Sequence, residues 1–230
     1  IRDRYVKRPF GEKLNASFDF LKENWKLLLK FITYLLLPLC LIQALSLNGL
    51  MSGALSISAI ASSTAMAASS SSLIAFGSYY GLYMFLYLIG IILLTSLVYG
   101  LIRTYNEREE RLQGVTLGML KPRLFRNIKR LLLMTGACIL LVLFVGIFVG
   151  LLVALTPFTL FLTIPFIIAF SVPLALLAPI YLFEDITLME AFKKTFRLGF
   201  ATWGGVFLVS LLMGIIANVL QGVTMMPWYI

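Results

Sequence analysis

The chain has 230 residues, 60% of them hydrophobic and only 13% charged, with a mean hydropathy of +0.97. Soluble domains are about half apolar and a quarter charged, so this composition excludes an ordinary water-soluble globule and makes lipid the solvent. The formal net charge of +9 would by itself suggest nucleic acid or anionic surfaces, yet the charges lie before, between or at the edge of apolar runs, so no nucleic-acid partner is expected.

Five apolar runs follow in chain order: Leu27 to Leu47, Leu82 to Ile102, Leu131 to Leu155, Phe161 to Phe183 and Trp203 to Met226. Each is close to the roughly 20 residues a helix needs to cross a ~30 Å hydrocarbon core. None shows the strict alternation of a barrel strand, and only helices or closed barrels satisfy their backbone groups in lipid. The expected fold is therefore all-α, a polytopic transmembrane helical bundle forming one integral membrane domain over residues 1–230.

Orientation follows from the charges between the runs. Residues 1–30 hold eight Lys and Arg, residues 48–81 none, residues 103–130 eight, residues 156–160 none and residues 184–202 three, which accounts for all nineteen. All ten acidic residues fall in the same three segments. By the positive-inside rule the charged segments face the cytoplasm, which places the amino terminus there, in the cytoplasmic (inner) membrane.

Before the first span, Phe10, Leu14, Phe18, Leu21, Trp25 and Leu28 recur at steps of three and four, one face of a helix. Leu117, Leu120, Leu124, Ile128 and Leu131 repeat the pattern before the third span, and Leu188, Phe192, Phe196 and Phe200 before the fifth. Thr187 and Glu190 fit a capping box that starts the last of these helices. Basic amphipathic helices of this kind lie in the membrane interface, so three in-plane lead helices are expected. Each lead runs into an outgoing span and the first two are followed by a returning one, which reads as three repeated hairpins. The pattern predicts a sixth span, missing here, after Ile230.

Residues 48–81 are rich in Ala, Ser and Gly, including Ala67 to Ser72, and suit either an outer loop or a shallow membrane helix, with Tyr79, Tyr80 and Tyr83 at the outer interface. Pro165, Pro173 and Pro179 lie within the fourth span and Pro157 just before it, so kinks are expected there. Gly146 and Gly150 form a GxxxG pattern that permits close helix approach.

Two sets of residues are candidates for contact. Lys121, Arg123, Arg126, Lys129 and Arg130 form a basic cluster suited to anionic lipid, each such charge near a membrane surface contributing about 1 kcal/mol. Gln43, Asn218 and Gln221 are polar within spans, and the last two share a helical face. Buried amides of this kind hydrogen-bond between helices or meet a small polar solute.

Catalytic chemistry is thin. The chain has no His, and no ionisable residue lies near the middle of a span, which argues against a proton relay or a charge-coupled pump. No phosphate-cradling Walker sequence or GxSxG elbow is present. Glu107, Glu109 and Glu110 alternate with Arg108 and Arg111, a solvated mixed-charge turn, and Glu184 with Asp185 reads as the approach to a helix. Cys40 and Cys138 are isolated thiols inside apolar runs, so neither disulfide nor metal is expected. No cofactor and no enzymatic activity are expected.

The stretch YLFEDITLMEAFKKTFRLGFATWGGVFL at residues 181–208, with FDFLKENWKLLLKFITYLLLP from Phe18 to Pro38, carries a recognisable combination: Glu184, the Glu190-Ala191 pair before basic residues, Arg197-Leu198, and an amphipathic lead into a span ending near proline. It resembles the membrane domain attached to some bacterial glycerophosphodiester phosphodiesterases and that domain's multi-pass relatives. Thr195 stands where the family usually has serine. The resemblance implies a bundle in the cytoplasmic membrane, accessory to lipid or envelope processes, and brings no catalytic residue. The expected role is a non-catalytic scaffold or accessory subunit of an envelope or transport complex, with membrane lipids and a protein partner held through the spans. The alternative is a transporter or lipid-handling protein with a cavity near the proline-rich fourth span.

Overall fold

The computed structural model of the chain describes residues 10–61, 69–108, 111–156 and 158–229. Among them it is all-α, with seven helices and no strand: α1 (Phe10–Ala61), α2 (Ser69–Glu107), α3 (Leu117–Leu155), α4 (Thr159–Leu174), α5 (Leu177–Phe183), α6 (Leu188–Ala201) and α7 (Trp203–Tyr229). Five stretches are long and apolar enough to cross a bilayer: Leu14–Ala54, Ile74–Glu107, Leu117–Leu155, Thr159–Phe183 and Trp203–Met226. The chain is a multi-pass integral membrane protein. Its contacts divide it into two compact units, one ending at Ile128 and the other beginning at Lys129.

In the first unit α1 and α2 run antiparallel. The pairing is visible at Glu23 with Tyr105, at Leu39 against Gly90, at Gly49 against Tyr79 and at Gly53 against Phe76. A methyl group on Gly49 would fall 2.5 Å from the Tyr79 ring, so the missing side chain is what admits the aromatic. Nearer the charged end, Leu28 and Phe31 of α1, Leu97 and Leu101 of α2, Leu112 and Val115 of the following loop and Leu120 of α3 form the buried core. That loop turns back through two left-handed residues, Arg111 at φ 56° and Gly114 at φ 68°, which brings Leu112 and Val115 inward. Hydrocarbon is as apolar as leucine, so within the bilayer such packing stabilises through close contact and little through exclusion of water.

Residues 48–61 are helical, which decides against an outer loop for them: α1 runs on to Ala61 and α2 begins at Ser69. The physical cause is the high helix propensity of alanine, the absence of proline, and the Gly49 and Gly53 contacts with α2. Residues 62–68, which include Ala67, lie outside the described residues. At 1.5 Å per residue the 52 residues of α1 extend about 78 Å, well beyond a ~30 Å core.

The lead segments also differ from three separate in-plane helices. The first two are continuous with their spans as parts of α1 and α3, because no glycine, capping residue or proline interrupts the junctions near residues 28 and 131. Of the first stripe, Phe18, Leu21 and Trp25 are exposed and Leu28 turns to the core beside Asn24, whereas in α3 the stripe residues Leu120 and Leu131 are both buried. Only α6 is a helix of its own. It begins with the expected capping box, Glu190 N–H donating to Thr187 Oγ1 at 3.4 Å and Thr187 N–H donating to Glu190 Oε2 at 3.1 Å. It ends at Thr202, whose hydroxyl donates back to Leu198 O at 2.8 Å.

In the second unit the proline-rich fourth span is broken, as its composition predicts, between α4 and α5 at residues 175 and 176. The break falls in the turn before Pro179, which has no N–H to give to Ala175 O, and Pro173 removes a second donor just before it. Pro173 has no N–H to give to Ala169 O four residues earlier, and that carbonyl instead accepts the indole N–H of Trp203 at 3.0 Å. Gly199 of α6 lies flat against the same ring: a Cβ there would be 2.5 Å from Pro173 Cβ and 2.7 Å from its Cα. Pro165 sits within α4 without a break, and Pro179 occupies the first turn of α5. Leu177, Tyr181 and Ala191 are the buried centre of this unit, with Met134, Cys138 and Phe192 packed around them.

Candidate functional site

The charged end of the first unit is built from α1, the last turns of α2, the loop after it and the first turns of α3. Glu23 of α1 accepts from Tyr105 Oη at 3.2 Å and from Arg111 Nη1 at 2.6 Å. The Arg111 guanidinium also lies 5.5 Å from the Tyr105 ring centroid, and Phe20 meets that ring edge-on at 5.1 Å. The hydrogen bond to Glu23 raises the Arg111 pKa above its ordinary value. Behind this group, Glu107 takes Arg103 Nε on one carboxylate oxygen at 2.9 Å and Arg123 Nη2 on the other at 2.5 Å. Arg123 Nη1 donates to Thr104 Oγ1 at 3.0 Å, and Asn127 Nδ2 donates to Ser96 O at 3.2 Å.

The five basic residues read as one cluster from the sequence therefore do different things. Arg123 is tied to α2, Arg126 is exposed, and Lys121 and Lys129 are exposed. Arg130, in the second unit, turns inward. Its Nη2 donates to both Tyr181 O and Ile186 O at 2.7 Å, its guanidinium lies 4.1 Å from the Tyr181 ring centroid, and Nη1 is 3.8 Å from Asp185 Oδ1. Those carbonyls lie at the end of α5 and in the bend that follows, where helical partners run out and Asp185 adopts φ 55°. Arg130 thus closes the end of α5. Arg103 was not among the sequence candidates, since it closes an apolar span and shares its partner, Glu107, with Arg123 of another helix; its place one residue past Ile102 was the available signal.

The intramembrane polar candidates divide between the two units. Gln43 is half-buried on α1. Asn218 and Gln221 are exposed on α7, and Asn218 Nδ2 donates to Gly214 O of its own helix at 2.8 Å. Gly214 and Gly222 have open space where a Cβ would be, as do Gly146 and Gly150 of α3. The GxxxG pair that another helix does approach is Gly49 and Gly53.

Among the described residues, three of the cavities lie at charged helix ends. One of about 650 Å³ is bounded by Phe20, Glu23, Tyr105 and Arg111 among others, one of about 310 Å³ by Glu184, Glu190, Lys193, Lys194 and Arg197, and one of about 200 Å³ by Gly100, Arg103, Glu107, Arg123, Arg126 and Asn127. None of the three is lined by Gln43, Asn218 or Gln221. No group of three or more His, Cys, Asp or Glu among the described residues is arranged to hold a metal ion. Comparison with protein-family models, with curated proteins and with solved structures finds no match to this chain.

Proposed function

We propose that the protein is a non-catalytic scaffold or accessory subunit in the cytoplasmic membrane, its charged helix ends in the cytoplasm, and that it associates laterally with another transmembrane helix through α7. The observation that carries this reading is the bare amide face of α7. Asn218 and Gln221 lie on one side of the helix with Gly214, Ala217 and Gly222, and the most apolar stretch of α7 has none of its residues buried within the chain. An amide facing hydrocarbon with only its own helix for a partner is costly, and a neighbouring helix supplies the remaining hydrogen bonds. Small residues beside the amides let that helix come close. The alternative, a transporter or lipid-handling protein with a cavity near the fourth span, rests on the prolines of that span.

Purification from native membranes in mild detergent, followed by native mass spectrometry, tests the reading. A stoichiometric protein, whether a second copy or another chain, is expected to be retained. The double substitution N218L/Q221L is expected to reduce that retention about tenfold, as two interhelical amide bonds of roughly 0.6–1 kcal/mol each require. A monomer carrying lipid alone, unchanged by the substitution, would reject lateral association in favour of lipid handling.

A further inference from the structure

We propose that Arg103, Arg123 and Arg126 form a binding site for a phosphate group at the charged end of the first unit. They surround the cavity of about 200 Å³ whose remaining lining is Gly100, Glu107 and Asn127. Among the described residues that line it, three guanidinium groups stand with one carboxylate. Glu107 takes Arg103 on one oxygen and Arg123 on the other and so holds the two forks in place. Thr104 fixes Arg123 from the side.

Guanidinium groups suit this task because each presents planar, paired N–H donors that match the oxygens of a phosphate, which an ammonium does not. Gly100 brings no side chain to this wall; a Cβ there would lie 3.7 Å from Asn127 Nδ2, an ordinary contact. The level is also right. Arg103 directly follows Ile102, the end of the second apolar run, and phosphates of lipid headgroups lie where apolar span gives way to charged chain. Lys121 and Lys129, on the same helix as Arg123, do not line the cavity, and Arg130 is committed to the α5 carbonyls. The site thus differs from the diffuse basic stretch in which two of its residues occur. It is independent of the α7 face, so either proposal can fail alone.

Two sources present the same chemistry: a phospholipid headgroup and a free phosphate-bearing anion. The full chain in an uncharged detergent, titrated with dioctanoyl phosphatidylglycerol, with dioctanoylglycerol and with inorganic phosphate, separates them. Phosphatidylglycerol is expected to bind at least tenfold more tightly than the phosphate-free lipid. R103Q/R126Q is expected to abolish that preference, and R126Q alone, at an exposed position, to weaken it about fivefold without changing the helical circular dichroism. K121Q/K129Q, which removes as much charge from outside the cavity, is expected to change it less than twofold. Displacement of the lipid by inorganic phosphate would assign the site to free phosphate groups, and failure to displace it would assign it to lipid. Equal affinity for dioctanoylglycerol, or equal loss in K121Q/K129Q, would overturn the proposal.

Discussion

Arg130 and Lys129 are neighbours in sequence with opposite fates. Arg130 has 17% of its side chain exposed and holds two carbonyls at the end of α5, while Lys129 is exposed. Replacing Arg130 by Gln removes the partners of those carbonyls and is expected to cost about 2 kcal/mol, whereas Lys129→Gln is expected to stay within about 0.5 kcal/mol. Thermal unfolding of the two variants in detergent distinguishes them, and equal melting temperatures would contradict the assignment. Thr195 behaves in the reverse sense. It is fully buried and its hydroxyl has no partner among the described residues, so Thr195→Val keeps the shape, removes an unpaired polar atom and is expected to be neutral or to stabilise by about 1 kcal/mol. At this scale the sequence was a partial guide. The capping box at Thr187 and Glu190 was legible because both partners lie within one turn. The ties of Arg123 to Glu107, 16 residues away, and of Arg130 to Tyr181, 51 away, were not, because charge type alone does not say which helix a side chain will meet.

At the scale of elements, the joint between α4, α6 and α7 is the most exacting packing in the second unit. Gly199→Ala would drive a methyl group into the Pro173 ring, which cannot yield as a flexible side chain can, and a loss of about 1–3 kcal/mol is expected. Trp203→Phe keeps the ring but leaves Ala169 O without its donor, and is expected to cost about 1 kcal/mol. Both are read by thermal unfolding in detergent; a wild-type melting temperature for Gly199→Ala would mean that α6 does not rest on Pro173. The break itself was legible in the prolines of the fourth span, since a missing donor is a local property. Its repair was not, since Trp203 lies 34 residues from Ala169. Helix ends were harder still. The charge-free stretch after residue 48 looked like a loop or a surface helix because it lies beyond a bilayer's length of apolar chain, yet nothing in its residues stops a helix. The first two lead segments merge with their spans for the same reason.

For the whole molecule, the spans were legible from hydropathy alone, because lipid imposes one rule on every backbone group within it. The two compact units were not, since the boundary at Ile128 falls inside α3, a helix continuous in sequence pattern and in structure. We propose that the helices cross the bilayer alternately, with every charged segment in the cytoplasm and every uncharged segment outside. Site-directed thiol labelling on intact cells tests it most directly. With Cys40 and Cys138 replaced by alanine, single cysteines are placed at Ser70, between the first two apolar runs, and at Gln113, between α2 and α3. A membrane-impermeant maleimide is expected to label S70C on intact cells and Q113C only after the membrane is opened. Labelling of Q113C on intact cells, with S70C protected until the membrane is opened, would invert the orientation, and equal labelling of both on intact cells would contradict alternate crossing altogether.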